Sequence, residues 1–135
     1  MKQFIFLMLL FIIFGCDRSK DIDNENFLNK LKKAPSVNIS KENLPEWLVV
    51  KINFLETAHS KDISWVKVRI FKGKWKNHTI YFISDSFSSC FFCDVYYEDG
   101  ENIIWPADGM EFTGFCSTSK NWKLIYEFGE GVFLF

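Results

Sequence analysis

The stretch 89–109, SCFFCDVYYEDGENIIWPADG, constrains this chain more than any other. Asp99-Gly100 lies between two apolar runs, and a two-residue Asp-Gly loop is a strong hairpin signal because both positions of a type I′ turn need positive φ. With those two residues as the whole loop, Tyr97 faces Asn102, Tyr96 faces Ile103, Val95 faces Ile104 and Asp94 faces Trp105. Side chains alternate across a strand. Cys93, Val95 and Ile104 therefore share one face, while Asp94, Tyr96, Ile103 and Trp105 share the other. The set without a carboxylate makes the better inner face. The outer face is then acidic and aromatic, with Asp94, Tyr96 and Trp105 as candidate binding residues. Pro106 ends the strand because it has no N–H for a ladder.

The rest of the sheet follows from a change of period at Ile63. Trp65, Lys67, Arg69 and Phe71 alternate with Val66, Val68 and Ile70, which describes a strand with a β-branched inner face and a basic-aromatic outer face. Lys72-Gly73-Lys74 reads as its turn and 79–83 as the returning strand, gathering Lys67, Arg69, Lys72, Lys74 and Lys76 near one end. A solvated face is the plain account of that charge, and membrane headgroups are the sharper one. Residues 107–121, with glycines and hydroxyls and no clear period, read as a long loop holding Cys116. After it, Trp122, Leu124, Tyr126 and Phe128 fall on one side of a strand, and Gly129-Glu130-Gly131 turns into a last apolar run.

Asn43-Leu44-Pro45-Glu46 marks a helix start, with Asn43 as cap and Pro45 in the first turn, where no donor is needed. The helix should reach about His59, which suits the negative end of the dipole. Its apolar residues, Leu44, Trp47, Leu48, Ile52, Phe54 and Leu55, spread wider than one seam, as expected for a helix lying in the concavity of a sheet. The fold class is α+β: one N-terminal helix packed on a twisted antiparallel sheet of about five strands. Aromatic residues make up 19% of the chain, with sixteen Phe and five Trp, which pack well on a half-buried sheet.

The N-terminus is a targeting segment. Lys2 supplies positive charge, residues 4–13 are apolar, and Ile13-Phe14-Gly15-Cys16 resembles a lipobox, so 1–15 reads as a lipoprotein signal peptide with lipid on Cys16. The apolar run is shorter than the ~20 residues that span a bilayer. Residues 16–43 are polar and mixed in charge and read as a lipid-anchored flexible tether, in which Phe27, Leu28 and Leu31 form at most one marginal turn. Residues 44–135 make a single domain. The location implied is a bacterial cell envelope, outer membrane in preference, although lineages read the acidic Asp17 in opposite ways. Removing Lys2 takes the formal charge from −1 to −2, which leaves no basic field for nucleic acid.

Envelope compartments oxidise thiols. With Cys16 lipidated, Cys90, Cys93 and Cys116 remain, and one bridge with one spare thiol is the simplest outcome. A bridge to Cys116 from Cys93 or from Cys90 would staple the 107–121 loop to the sheet and contribute roughly 3 kcal/mol. Cys90-Phe91-Phe92-Cys93 has redox spacing, but β-formers follow where a redox motif needs a helix N-terminus. Zinc could draw on Cys116 and His78, yet a second close ligand pair is missing. No nucleophile elbow, phosphate loop or metal signature occurs, so no catalytic residue, metal or cofactor is assigned.

The helix start Leu44, Pro45, Trp47, Leu48, the strand Thr79-Ile80-Tyr81, Cys93-Asp94, the pattern Tyr97-x-Asp99-Gly100 with Ile104 and Pro106, and Lys123-Leu124-Ile125 together resemble an uncharacterised family of small Bacteroidetes lipoproteins. The resemblance spans 44–126 and implies a lipid-anchored α+β domain with no assigned activity. Where family members carry further cysteines before the Asp and before the Pro, this chain has Phe92 and Trp105, so the family's disulfides do not carry over intact. The leading reading is a non-enzymatic envelope binding or accessory module with an envelope protein or glycan as partner. A small thiol-active enzyme using Cys90 or Cys93 is one alternative. An enzyme-inhibitor-like protein acting through the 107–121 loop is another.

Overall fold

Strand β1 (Val68–Trp75) is apolar on both sides, and that decides the architecture. In the computed structural model, which describes residues 18–62, 67–85 and 93–129, with side chains of the first segment placed from 24 to 58, β1 is central in a four-stranded antiparallel sheet. Its neighbours are β2 (His78–Asp85) and β4 (Lys120–Phe128), and β3 (Val95–Tyr97) lies outside β2, giving the order β3-β2-β1-β4. Helices cover both faces. On one, α2 (Glu46–Asp62) and the Leu44 just before it set Leu44, Leu48 and Ile52 on Val68, Ile70, Tyr81, Ile83 and Ile125. On the other, α1 (Arg18–Lys32) and α3 (Met110–Thr118) set Phe27, Leu31, Phe115 and Cys116 on Phe71, Trp75, Phe82 and Trp122. The expected α+β class holds, with three α-helices and four strands among the described residues. Phe71, expected on an outer face, is 2% exposed because that face carries the second core.

Helix α1 replaces most of the expected tether. Phe27 is 0% exposed and Leu31 3%. Their i, i+4 spacing puts them on one side of the helix, and Phe27 meets the rings of Phe115, Trp122 and Phe82 at 5.2, 5.5 and 5.8 Å. Burial of one such ring contributes roughly 1.5–3 kcal/mol, which is how a mostly polar helix is held. The Lys30 ammonium adds a second tie, donating to the carbonyls of Cys116 and Ser117 at 2.8 Å each and of Ser119 at 3.1 Å. It thereby satisfies the open C-terminal carbonyls of α3. Partial burial there lowers the Lys30 pKa.

Helix α2 begins where expected but without the expected cap. A short 3₁₀ turn, Lys41–Asn43, precedes it, and the Asn43 amide donates to Ser40 Oγ at 3.0 Å. The first-turn bonds run to Pro45 O from the N–H groups of Leu48 and Val49. The helix continues past His59 to Asp62. Phe54, expected to pack inward, is 71% exposed.

The two hairpins exchange their expected turn chemistry. The β1–β2 turn is Lys76-Asn77, with φ of 47° and 65°, joining the paired Trp75 and His78. These are the two positive φ angles of a two-residue type I′ loop. Gly73 is mid-strand instead, because the Trp122 ring lies over it: a Cβ there would stand 2.7 Å from ring carbons. At Asp99-Gly100, the Tyr97 N–H donates to Glu101 O, the Gly100 N–H to Tyr97 O and the Ile103 N–H to Val95 O. The loop is therefore the three residues 98–100, with only Gly100 (φ 91°) at positive φ, the turn-plus-bulge alternative to the two-residue loop. The register slips by one, and a one-residue slip exchanges the faces. Ile103, not Ile104, enters the core at 6% exposure, while Ile104 is 84% exposed.

Residues 110–118 are helical rather than a loop. The Asp108 carboxylate accepts from the Met110 N–H at 3.0 Å, and Gly109 (φ 73°) starts the turn. Phe112, Phe115 and Cys116, at i, i+3, i+4, then share the core-facing side. In β4 a register irregularity opposite Ile70/Phe71 places Trp122 and Leu124 in the α1–α3 core and Ile125, Tyr126 and Phe128 in the α2 core. The four aromatic and aliphatic residues expected on one side are thus divided by a bulge. Cys16, Cys90, the strand start at 63–66 and the last run 130–135 lie outside the described residues.

Candidate functional site

The best-formed polar cluster lies where α2 crosses β3. Trp47 fixes the crossing: its indole N–H donates to Glu98 O at 2.9 Å, and its ring covers Gly100, where a Cβ would meet Trp47 Cγ at 2.9 Å. It also meets Tyr96 at 5.3 Å and Tyr81 at 5.7 Å between centroids. One helical turn on, the Lys51 ammonium donates to Tyr96 Oη, lies 4.3 Å from the Tyr96 ring centroid and pairs with Asp94 Oδ1 at 3.6 Å. Tyr96 Oη in turn donates to Asp94 Oδ1 at 2.8 Å. Burial raises the Tyr96 pKa, helped by its hydrogen bond to the Asp94 carboxylate and against the pull of Lys51, so the phenol stays protonated as a donor.

Two of the three residues expected to form a binding surface, Asp94 and Tyr96, are brought together here. Trp105 is not with them. Its ring packs against Phe115 at 5.0 Å, Phe112 at 5.4 Å and Trp75 at 5.7 Å on the opposite side of the sheet. The slipped hairpin register is the cause, since it turns Trp105 toward the face that α3 covers.

Beside the cluster runs a groove of about 450 Å³ between α2 and β2–β3, with Lys51, Asp85 and Asp94 as polar lining and Trp47, Val50 and Phe54 as apolar lining. Val50 and Phe54, one turn apart on α2, are 63% and 71% exposed. Lys51 and Val50 were not singled out from the sequence, and Phe54 was expected in the core rather than at a binding surface. Their signal was the apolar spread of the helix beyond one seam, which reads equally as deeper burial.

The cysteines depart from expectation. Cys93 is disulfide-bonded, whereas Cys116 is a buried thiol at 1% exposure, so neither expected bridge to Cys116 forms. The Cys93 partner therefore lies outside the described residues. Cys116 faces into the α1–α3 core as part of a helix, and the stapled inserting loop has no counterpart at 107–121. His78 is exposed with its ring 5.6 Å from that of Tyr97. Among the described residues no group of three or more His, Cys, Asp and Glu side chains is placed to hold a metal ion, and no helix is long and apolar enough to cross a membrane.

No protein-family model, curated protein or solved structure matches the chain. What defines it is its own geometry, a four-stranded antiparallel sheet between helices with a mixed polar and apolar groove along α2.

Proposed function

We propose that the chain is a non-enzymatic binding or accessory module of a bacterial cell envelope, held by lipid on Cys16 with the outer membrane the preferred side. Its partner is another envelope protein, docked along α2. One observation carries the reading: Val50 and Phe54 stand 63% and 71% exposed beside a polar cluster whose members already bond one another. An aliphatic and an aromatic side chain held in water on one side of α2 favour a protein surface that can bury them, whereas a glycan would need free polar groups and open ring faces. Asp94 is already engaged by Lys51 and Tyr96, which suits a fixed recognition feature better than a general acid or base. The lipobox-like Ile13-Phe14-Gly15-Cys16 and the likeness to small Bacteroidetes lipoproteins support the envelope placement.

The test pairs two variants with a positional probe. Val50→Asp with Phe54→Asp should change unfolding free energy by no more than about 0.5 kcal/mol, as exposed substitutions do. A photo-crosslinking residue at position 54 should give a defined adduct with one envelope protein in the native membrane, and Val50→Asp should suppress it. A probe at exposed Asn29 should give none. Equal adducts from both positions would remove α2 as the contact surface, and an intact mass without a lipid adduct on Cys16 would remove the anchor.

A further inference from the structure

Helix α2 covers Val68, Ile70, Tyr81, Ile83 and Ile125, and toward the β1–β2 turn the same sheet face continues into an open groove of about 610 Å³. Lys72, Lys74 and Lys123 line it together with the apolar Val37, Ile39 and Ile125. The register gathers these cations: Lys72 is directly opposite Lys123, and the next pair is Lys74 with Lys120. Like charges directly opposite each other destabilise a sheet. On and beside these strands other cations are matched, Lys67 and Arg69 by Glu127 at 3.0 and 2.6 Å and Lys76 by Glu111 at 2.8 Å. Among the described residues Lys72, Lys74, Lys120 and Lys123 make no ion pair, and no carboxylate lines the groove. The Lys72 ammonium lies 5.6 Å from the Tyr81 ring centroid.

We propose that this groove binds the phosphate headgroups of an anionic lipid surface. Lysine ammoniums serve as point-charge ligands for phosphate, and Val37, 37% exposed in the groove lining, offers an apolar edge to the glycerol and acyl boundary. Each lysine brought to an anionic leaflet strengthens binding roughly fivefold at low salt, and salt screens the effect. The unmatched charge is independent of the α2 groove; the choice of a lipid as the phosphate source rests on the envelope reading.

The experiment uses the full chain reconstituted in vesicles of phosphatidylcholine alone or with added phosphatidylglycerol, and reads lysine acetylation by mass spectrometry. Lys72, Lys74, Lys120 and Lys123 should be protected only in the anionic vesicles, relative to exposed Lys32 and Lys33, and high salt should release them. Lys72→Gln with Lys123→Gln should leave Tm unchanged or raised, because a like-charge pair is gone, while weakening the remaining protection roughly 25-fold. Equal labelling in both vesicles overturns the proposal. Protection by inorganic phosphate in solution with none from vesicles also overturns it, assigning the groove to a soluble anion. Failure of the envelope reading appears separately, as a missing lipid adduct on Cys16.

Discussion

Replacing Phe27 by alanine separates a folded N-terminal helix from a tether. The ring is fully buried and makes edge-on or tilted contacts with Phe82, Phe115 and Trp122. Truncating a buried Phe costs about 3–5 kcal/mol through lost transfer energy and the cavity left behind. Each aromatic pair adds about 0.5–1.5 kcal/mol beyond area, which places this site in the upper half of that range. Against a total stability of about 5–15 kcal/mol the loss is large. An unfolding entropy of about 2.1 cal/mol/K per residue over roughly 100 described residues converts it to a fall in Tm of about 19–24 °C. Urea unfolding followed by tryptophan fluorescence measures it, with Asn29→Ala on the exposed side of the helix as a control within about 0.5 kcal/mol. A Phe27→Ala loss below about 1 kcal/mol would refute the reasoning, because no buried Phe contacting three other rings is that cheap to remove.

Trp105→Ala should cost about 2–4 kcal/mol, since its ring packs on Trp75, Phe112 and Phe115; a neutral result in thermal melts would place Trp105 on the outer surface after all. Burial works to raise the Glu56 and Glu127 pKa values, but hydrogen bonds from Lys41 and Tyr126 to Glu56, and from Arg69 and Lys67 to Glu127, outweigh it and hold both below the ordinary 4.5. A depressed carboxylate contributes stability that is fully present above its unfolded value and lost as pH falls through its folded one. Melts should therefore weaken below about pH 4.5, and Glu56→Gln with Glu127→Gln should flatten that acid limb; an unchanged limb would show that neither ion pair matters. Cys116, at 1% exposure, should resist alkylation in the native protein and react in denaturant, whereas Cys93 should stay unreactive in denaturant until a reductant is added. Native labelling of Cys116 would contradict the described α1–α3 packing.

The α2 helix, the β1–β2 pairing and the hairpin around Gly100 were legible because each has a local cause: Pro45 in a first turn, alternation, and a glycine between apolar runs. The faces were not. Both the two-residue and the three-residue loop accept Asp99-Gly100, and the choice belongs to long-range contacts, Trp47 covering Gly100 and Ile103 entering the core under Val95. That one-residue difference parted Trp105 from Asp94 and Tyr96. In the same way Phe71 and Trp75 alternate with Lys72 and Lys74 as on any half-wet strand, and only α1 and α3 make their side an interior. Those helices are faint in the sequence because α1 shows two deeply buried apolar residues amid charge, and α3 carries Gly114 and hydroxyls that bond back to its own carbonyls. The polar cluster was hidden for the same reason, since Lys51 meets Asp94 and Tyr96 only through the docking of α2.

The bulge in β4 has a consequence for how this chain can vary. Trp122 and Leu124 on one side of it, and Tyr126 and Phe128 on the other, serve opposite cores from a single strand. Deleting Ile125 would remove the extra residue and restore even alternation with Tyr126 and Phe128 still facing α2 and Glu127 still beside Arg69, so that only the buried Ile125 side chain is lost from the α2 core. Such a strand can exchange one apolar residue for another within each half, and its two halves keep their cores with or without the extra residue between them. Its history should therefore record apolar substitutions at 122, 124, 126 and 128, and any change of length between them should fall at the bulge residue 125, where the faces survive it.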